Sequence, residues 1–114
     1  MIIRKFDVVR VNLYPEKGSV PTGIRPCVVV QNNIFNTHSP TIIVVPLTTN
    51  KAKLFPGEFL IKPSNLNGLT KESRFLGHQL ITVDKIFIYE QQGQLEDKYY
   101  SEVQYSLDIV LGRK

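Results

Sequence analysis

Three loop-bounded positions carry polar groups that a small β-sheet does not need for its own structure: Arg25, Thr48 and the pair His78-Gln79. Arg25 stands immediately before Pro26 and an apolar run. The proline holds its predecessor's backbone extended, and a guanidinium is a rigid fork of donors that matches a phosphate. Thr48, with Thr49 and Asn50 after it, closes an apolar segment with a hydroxyl that can donate to a phosphoryl oxygen. Gln79 can read a base edge, and His78 can change charge near neutral pH. Each also has a plain alternative: an arginine at a strand start, a threonine at a strand end, a histidine that is packed or solvated.

Other chemistries lack their residues. No Asp/Glu/His cluster has metal-ligand spacing, no glycine-rich phosphate loop opens a helix, and there is no nucleophile elbow. Neither a metal nor a cofactor is expected. Cys27 is the single cysteine, so no internal disulfide can form, and its place in the run Cys27-Val28-Val29-Val30 reads as a small buried thiol. A reactive thiol would want an electropositive, partly exposed pocket.

The elements that must hold these groups are short strands followed by one helix. Val9, Val11 and Leu13 alternate with Val8, Arg10 and Asn12, the period of a half-buried strand, and Pro15 ends it. Residues 18–23 form a loop by composition, with Ser19 inside it. Segments 27–31 and 41–48 are rich in β-branched residues and read as central strands, joined by a turn or single helical turn over 32–36. Segments 58–62, 73–76 and 78–83 are strand-like, the last followed by a tight turn at Asp84-Lys85. The period then changes: Tyr99, Val103, Leu107 and Val110 fall at helical spacing, with Glu96 or Asp97 at the start and Gly112 as the stop. A mainly β fold is expected, a small curved sheet or barrel with a C-terminal α-helix packed on it, its functional loops at one rim.

At 114 residues the chain fits a single domain, 1–114. Its 42% hydrophobic and 21% charged residues are those of a globular protein. The longest apolar run, 42–47, is too short to span a bilayer, and charges interrupt the N-terminal stretch where a signal peptide is apolar. A cytoplasmic location away from membranes is expected. The net charge of +4 is uneven: residues 1–75 hold ten Lys/Arg against four Asp/Glu, and residues 76–114 hold four against six. A front half at +6 can attract polyanions, although a solvated surface with ordinary charge scatter fits as well.

Across nearly the whole chain, the order Asp7-Val8-Val9, Leu13-Tyr14-Pro15, Gly18-Ser19, Arg25-Pro26, Val30-Gln31-Asn32, Phe35-Asn36, Ser39-Pro40-Thr41, Pro46-Leu47-Thr48, Gln79 and Thr82-Val83-Asp84-Lys85 resembles the MazF/PemK toxin family. The resemblance implies an SH3-like barrel of the MazF/CcdB-like toxin fold and a homodimer. It also implies cleavage of single-stranded RNA at short sequences and neutralisation by an acidic, MazE-like antitoxin. Carried over position by position, it puts the catalytic arginine at Arg25 and the catalytic threonine at Thr48. RNA contacts fall to Ser19 and Gln79, and with them we group His78 and Asn32. The sequence departs from the family pattern at Val20-Pro21, at His78 where a glutamate is common, at Ile81, and at Phe6 before Asp7. These changes bear on which RNA is recognised more than on the reaction. Two alternatives remain: a CcdB-like inhibitor of DNA gyrase, which the absence of tryptophan weakens, and a nucleic-acid-binding barrel without catalysis.

Overall fold

A computed structural model describes residues 1–13 and 23–113. Among these residues seven strands form one curled antiparallel sheet: β1 (Asp7–Leu13), β2 (Gly23–Val29), β3 (Thr41–Thr48), β4 (Leu60–Ile61), β5 (Ser73–Phe75), β6 (Ile81–Asp84) and β7 (Ile88–Gln94). Their order is β4-β5-β3-β2-β1-β7, and β6 also pairs with β3. β3 organises the sheet: Thr41–Val44 pair with β6, while Leu47 and Thr48 pair with β5. A short helix, α1 (Asn33–His38), joins β2 to β3, and α2 (Tyr100–Val110) ends the fold.

The curl divides the core between the two faces of the sheet. Val9, Val11 and Leu13 pack with Cys27, Val29, Ile42 and Val44 on one face. Val8 points the other way and is equally buried, among Val28, Val45, Leu47, Phe75, Val103 and Leu107 beneath α2. β1 is therefore covered on both sides near its start, and the half-buried strand expected from its alternation is only half the picture. Pro26 lies inside β2, an interior strand. It pairs with Arg10 of β1, while the ladder to β3 begins only at Cys27, so its missing N–H removes no rung on that side.

Several elements depart from expectation. Segment 78–83 is not one strand: Gly77–Gln79 is a 3₁₀ turn, and β6 starts only at Ile81. Gly77 backs onto α2 so closely that a Cβ there would collide with the buried Ser106 hydroxyl. β7 has no counterpart in the sequence reading. Its residues Ile88–Gln94 are mostly polar and solvent-facing, and its pairing with β1 shifts register twice, so no period of two appears. Of the residues expected at helical spacing, Tyr99 in the turn just before α2 and Val103 and Leu107 within it are buried; Ser106 joins them, whereas Val110 is only half-buried. Gly112, at φ +71°, takes the left-handed conformation that stops the helix. No helix among the described residues is long and apolar enough to cross a membrane.

Phe6 also adopts a left-handed backbone, at φ +74°. That costs a non-glycine residue about 1–2 kcal/mol. The conformation is held by Phe6 N–H donating to Val29 O and by Leu95 N–H donating to Phe6 O, at 2.7 and 2.8 Å. The ring stacks on Tyr100 of α2 with centroids 3.7 Å apart, which offsets the strain. Phe6→Ala keeps the strain and loses the stack, while Phe6→Gly loses the stack and relieves the strain. The alanine variant is thus expected to be less stable than the glycine variant by about 1 kcal/mol, the reverse of the usual order. Urea midpoints of the two variants check it; a more stable alanine variant would contradict the account.

Candidate active site

Strand alternation decides where Arg25 and Thr48 point. Arg25, Cys27 and Val29 share one face of β2, and Val44, Pro46 and Thr48 share one face of β3. Cys27, Val29 and Val44 belong to one apolar cluster. Arg25 and Thr48 therefore come out at the end of that face, where the apolar cover stops. The last β2–β3 pair is Cys27 with Pro46, and continuing the register two residues sets Arg25 across from Thr48. Both are half-buried, and both line a cleft of about 290 Å³ with Gly23, Ile24, Pro26, Leu47, Thr49 and Ser73. On its other edge β1 pairs Val11 with Arg25, so the arginine's backbone is fixed by the sheet and not by a free loop.

The Thr48 hydroxyl accepts the Asn50 N–H at 3.2 Å. That bond uses a lone pair and leaves the hydroxyl proton for an oxygen in the cleft. Cys27 is fully buried; burial pushes its thiol up to about 12, with the Arg25 charge pulling the other way. Its Sγ lies 3.6 Å from Arg25 O. The thiol stays protonated and takes no part as a nucleophile.

The remaining residues singled out in the sequence are dispersed. Ser19 lies outside the described residues. Asn32 caps α1, its side chain accepting the Ile34 N–H at 2.8 Å. It sits beyond the opposite end of β2 from Arg25, roughly 20 Å away at about 3.3 Å per strand residue, so the structure does not bring it to the cleft. His78 and Gln79 occupy the 3₁₀ turn, not the start of a strand, and neither lines the cleft. They connect to it indirectly: His78 Nδ1 is 3.6 Å from Glu58 Oε2, and Glu58 Oε1 is 3.4 Å from Arg74 Nη1. Gln79 Nε2 lies 3.4 Å from His78 Nε2.

Glu58 and Arg74 were not anticipated. Arg74 is paired with Thr48 across the β3–β5 ladder. It lines a second recess, of about 220 Å³, that shares Thr48 and Thr49 with the first. A sequence signal existed for both: Arg74 is the one charge between the buried Ser73 and Phe75, and Glu58 is the one acid among Lys51, Lys53, Lys62 and Lys71.

The chain is similar to known proteins in sequence and in fold. The family profile described as "PemK-like, MazF-like toxin of type II toxin-antitoxin system" matches residues 4–111. The endoribonuclease MazF of Staphylococcus saprophyticus is 41% identical over 113 residues, covering 97% of this chain and 92% of the relative. That of Staphylococcus epidermidis is 39% identical over the same coverage. Among solved structures, MazF from Deinococcus radiodurans superposes with a TM-score of 0.80 at 24% identity, covering 98% of each chain. A mycobacterial endoribonuclease in complex with its cognate antitoxin gives 0.76 at 22% identity, covering 96% of this chain and 95% of the other. Those two likenesses are of fold, the mainly β, curled sheet with a C-terminal helix expected from the sequence. With a profile spanning nearly the whole chain and relatives near 40% identity, the protein belongs to the PemK-like, MazF-like family of type II toxins.

Proposed function

We propose that this chain is an endoribonuclease toxin that cuts single-stranded RNA at short sequences, with Arg25 and Thr48 as its catalytic groups. The observation that carries the reading is that Arg25 and Thr48 line one cleft at the end of an apolar sheet face. RNA brings its own nucleophile. The ribose 2′-hydroxyl attacks the adjacent phosphorus, the bond to the 5′-oxygen breaks, and a proton passes from the 2′-oxygen to the leaving oxygen. No metal is required for that step. The protein has to hold attacking and leaving oxygens in line and to stabilise charge on the non-bridging oxygens. Arg25 offers two donors for this and Thr48 a third. In this scheme Arg25 binds and stabilises the phosphate as a positively charged, rigid fork of donors.

Around this centre we assign RNA contacts to Ser19, Gln79 and His78. The same assignment for Asn32 has less support, given its capping role at the far end of β2. The basic front half of the chain supports attraction of a polyanion and, equally, of an acidic antitoxin segment that fills the groove and hides it from RNA. The reading includes a homodimer and a cytoplasmic site of action, where the RNA is. The gyrase-inhibitor alternative is not favoured, since the relatives near 40% identity are named as endoribonucleases.

Incubating the purified chain with a long mixed RNA in excess EDTA, then mapping both ends of the fragments, tests the proposal. Cleavage at a recurring short word is expected, leaving 2′,3′-cyclic phosphate and 5′-hydroxyl ends. Intact RNA under all conditions would favour a binding barrel without catalysis.

A further inference from the structure

Glu58 lies in the connection between β3 and β4, yet its side chain is only 3% exposed. A carboxylate is buried this far only when donors surround it. The Phe55 backbone N–H donates to Oε1 at 3.0 Å, and Arg74 Nη1 at 3.4 Å and His78 Nδ1 at 3.6 Å lie at ion-pair distance from the carboxylate. Arg74 Nη1 donates its hydrogen bonds to the carbonyls of Ala52 and Lys53, each at 3.3 Å. The connection over residues 50–57 is thereby fastened to β5 at Ala52, Lys53, Phe55 and Glu58.

This fastening reaches the catalytic hydroxyl. Asn50 donates its N–H to Thr48 Oγ1, and its side-chain Oδ1 accepts the Ala52 N–H at 2.9 Å. An unbroken chain therefore runs from Glu58 through Arg74, Ala52 and Asn50 to Thr48. The Glu58 side chain and the Arg74 side chain, 12% exposed, are held from solvent, whereas Asn50 and Ala52 are exposed. Without the anchor the turn after Thr48 loses its fixed position, and with it the wall of the recess beside the cleft.

We propose that Arg74 and Glu58 are positioning residues for RNA cleavage: by clamping the 50–57 connection to β5 they fix the orientation of the Thr48 hydroxyl. The inference rests on Thr48 being a catalytic group. A positioning role of this kind acts on the transition state and vanishes when the hydroxyl itself is gone.

The test measures kcat and KM on an oligonucleotide carrying the mapped cleavage word, for Arg74→Met, Glu58→Gln and Asn50→Ala, each alone and combined with Thr48→Val. In the otherwise wild-type chain, Arg74→Met is expected to lower kcat by about 10–100-fold, the usual cost of a small misplacement, with KM near its original value. Combined with Thr48→Val, it should cost nothing further. An equal loss in both backgrounds, or no loss in either, overturns the clamp. Asn50→Ala keeps the result decisive if the buried charge variants fail to fold, because Asn50 is exposed and only the Asn50–Ala52 link is cut; a wild-type kcat in that variant also overturns it. The nuclease reading fails separately, if Arg25→Ala cleaves normally. An inactive Arg25→Ala beside a fully active Asn50→Ala and Arg74→Met would remove the clamp alone.

Discussion

Arg25→Ala is expected to lower RNA cleavage by at least about 10²–10³-fold, the typical cost of one well-placed charge-stabilising donor. Arg25 contributes two donors and a full charge, so its loss should exceed that of the single hydroxyl in Thr48→Val. Arg25→Lys should fall between wild type and alanine: it restores the charge but not the fork that can bind two oxygens at once. The fold should survive, because the rungs that hold this position are main-chain ones, Val11 paired with Arg25 and Cys27 paired with Pro46, and no side chain enters them. Single-turnover rates and circular dichroism on the same samples separate the two effects. A folded alanine variant that cuts at the wild-type rate would move the active site elsewhere.

The part of this site that could be read from the chain is the part built by strand periodicity and by resemblance. β1 and β3 run where alternation and β-branching put them, and α2 follows the spacing of Tyr99, Val103 and Leu107. Arg25 and Thr48 stand out because one precedes and the other closes an apolar run and the resemblance puts catalytic groups at both, and extending the β2–β3 register sets them across from each other. What escaped is what depends on contacts distant in sequence. β7 is a polar edge strand identified only by its partner β1. The turn at Gly77 packs against α2, where a Cβ would collide with Ser106, a contact distant in sequence. Asn67 is fully buried and ties Ser64, Leu69, Lys62 and Glu96 together, though locally it looks like any loop asparagine. Burial of the Glu96 carboxyl raises its proton affinity, but hydrogen bonds from Ser64, its own backbone and Asn67, with the Lys98 charge, outweigh that and hold it below the ordinary range. Glu58, Arg74 and His78 are likewise scattered over 21 positions and gather only when β5 lies beside β3.

Replacing the single ribose on the 5′ side of the scissile phosphate with 2′-deoxyribose is expected to abolish cleavage of an otherwise identical oligonucleotide. The reason lies in the division of labour between protein and substrate. In the proposed scheme Arg25 and Thr48 offer charge stabilisation and orientation, while burial holds the Cys27 thiol protonated. The attacking oxygen in this scheme belongs to the RNA. Deleting it leaves the phosphate, both neighbouring bases and the groove contacts in place, so the deoxy oligonucleotide should still compete with the ribose substrate with little loss of affinity. Retained competition with no cleavage is the signature of a missing nucleophile; loss of both would point to a lost contact of the 2′-oxygen with the groove. Should the deoxy substrate be cut, particularly with a 5′-phosphate on the downstream fragment, the attacking group would have to be water or a protein side chain. Internal attack would then be refuted, and the hydroxyl of Thr48 would need to be considered as something other than a donor.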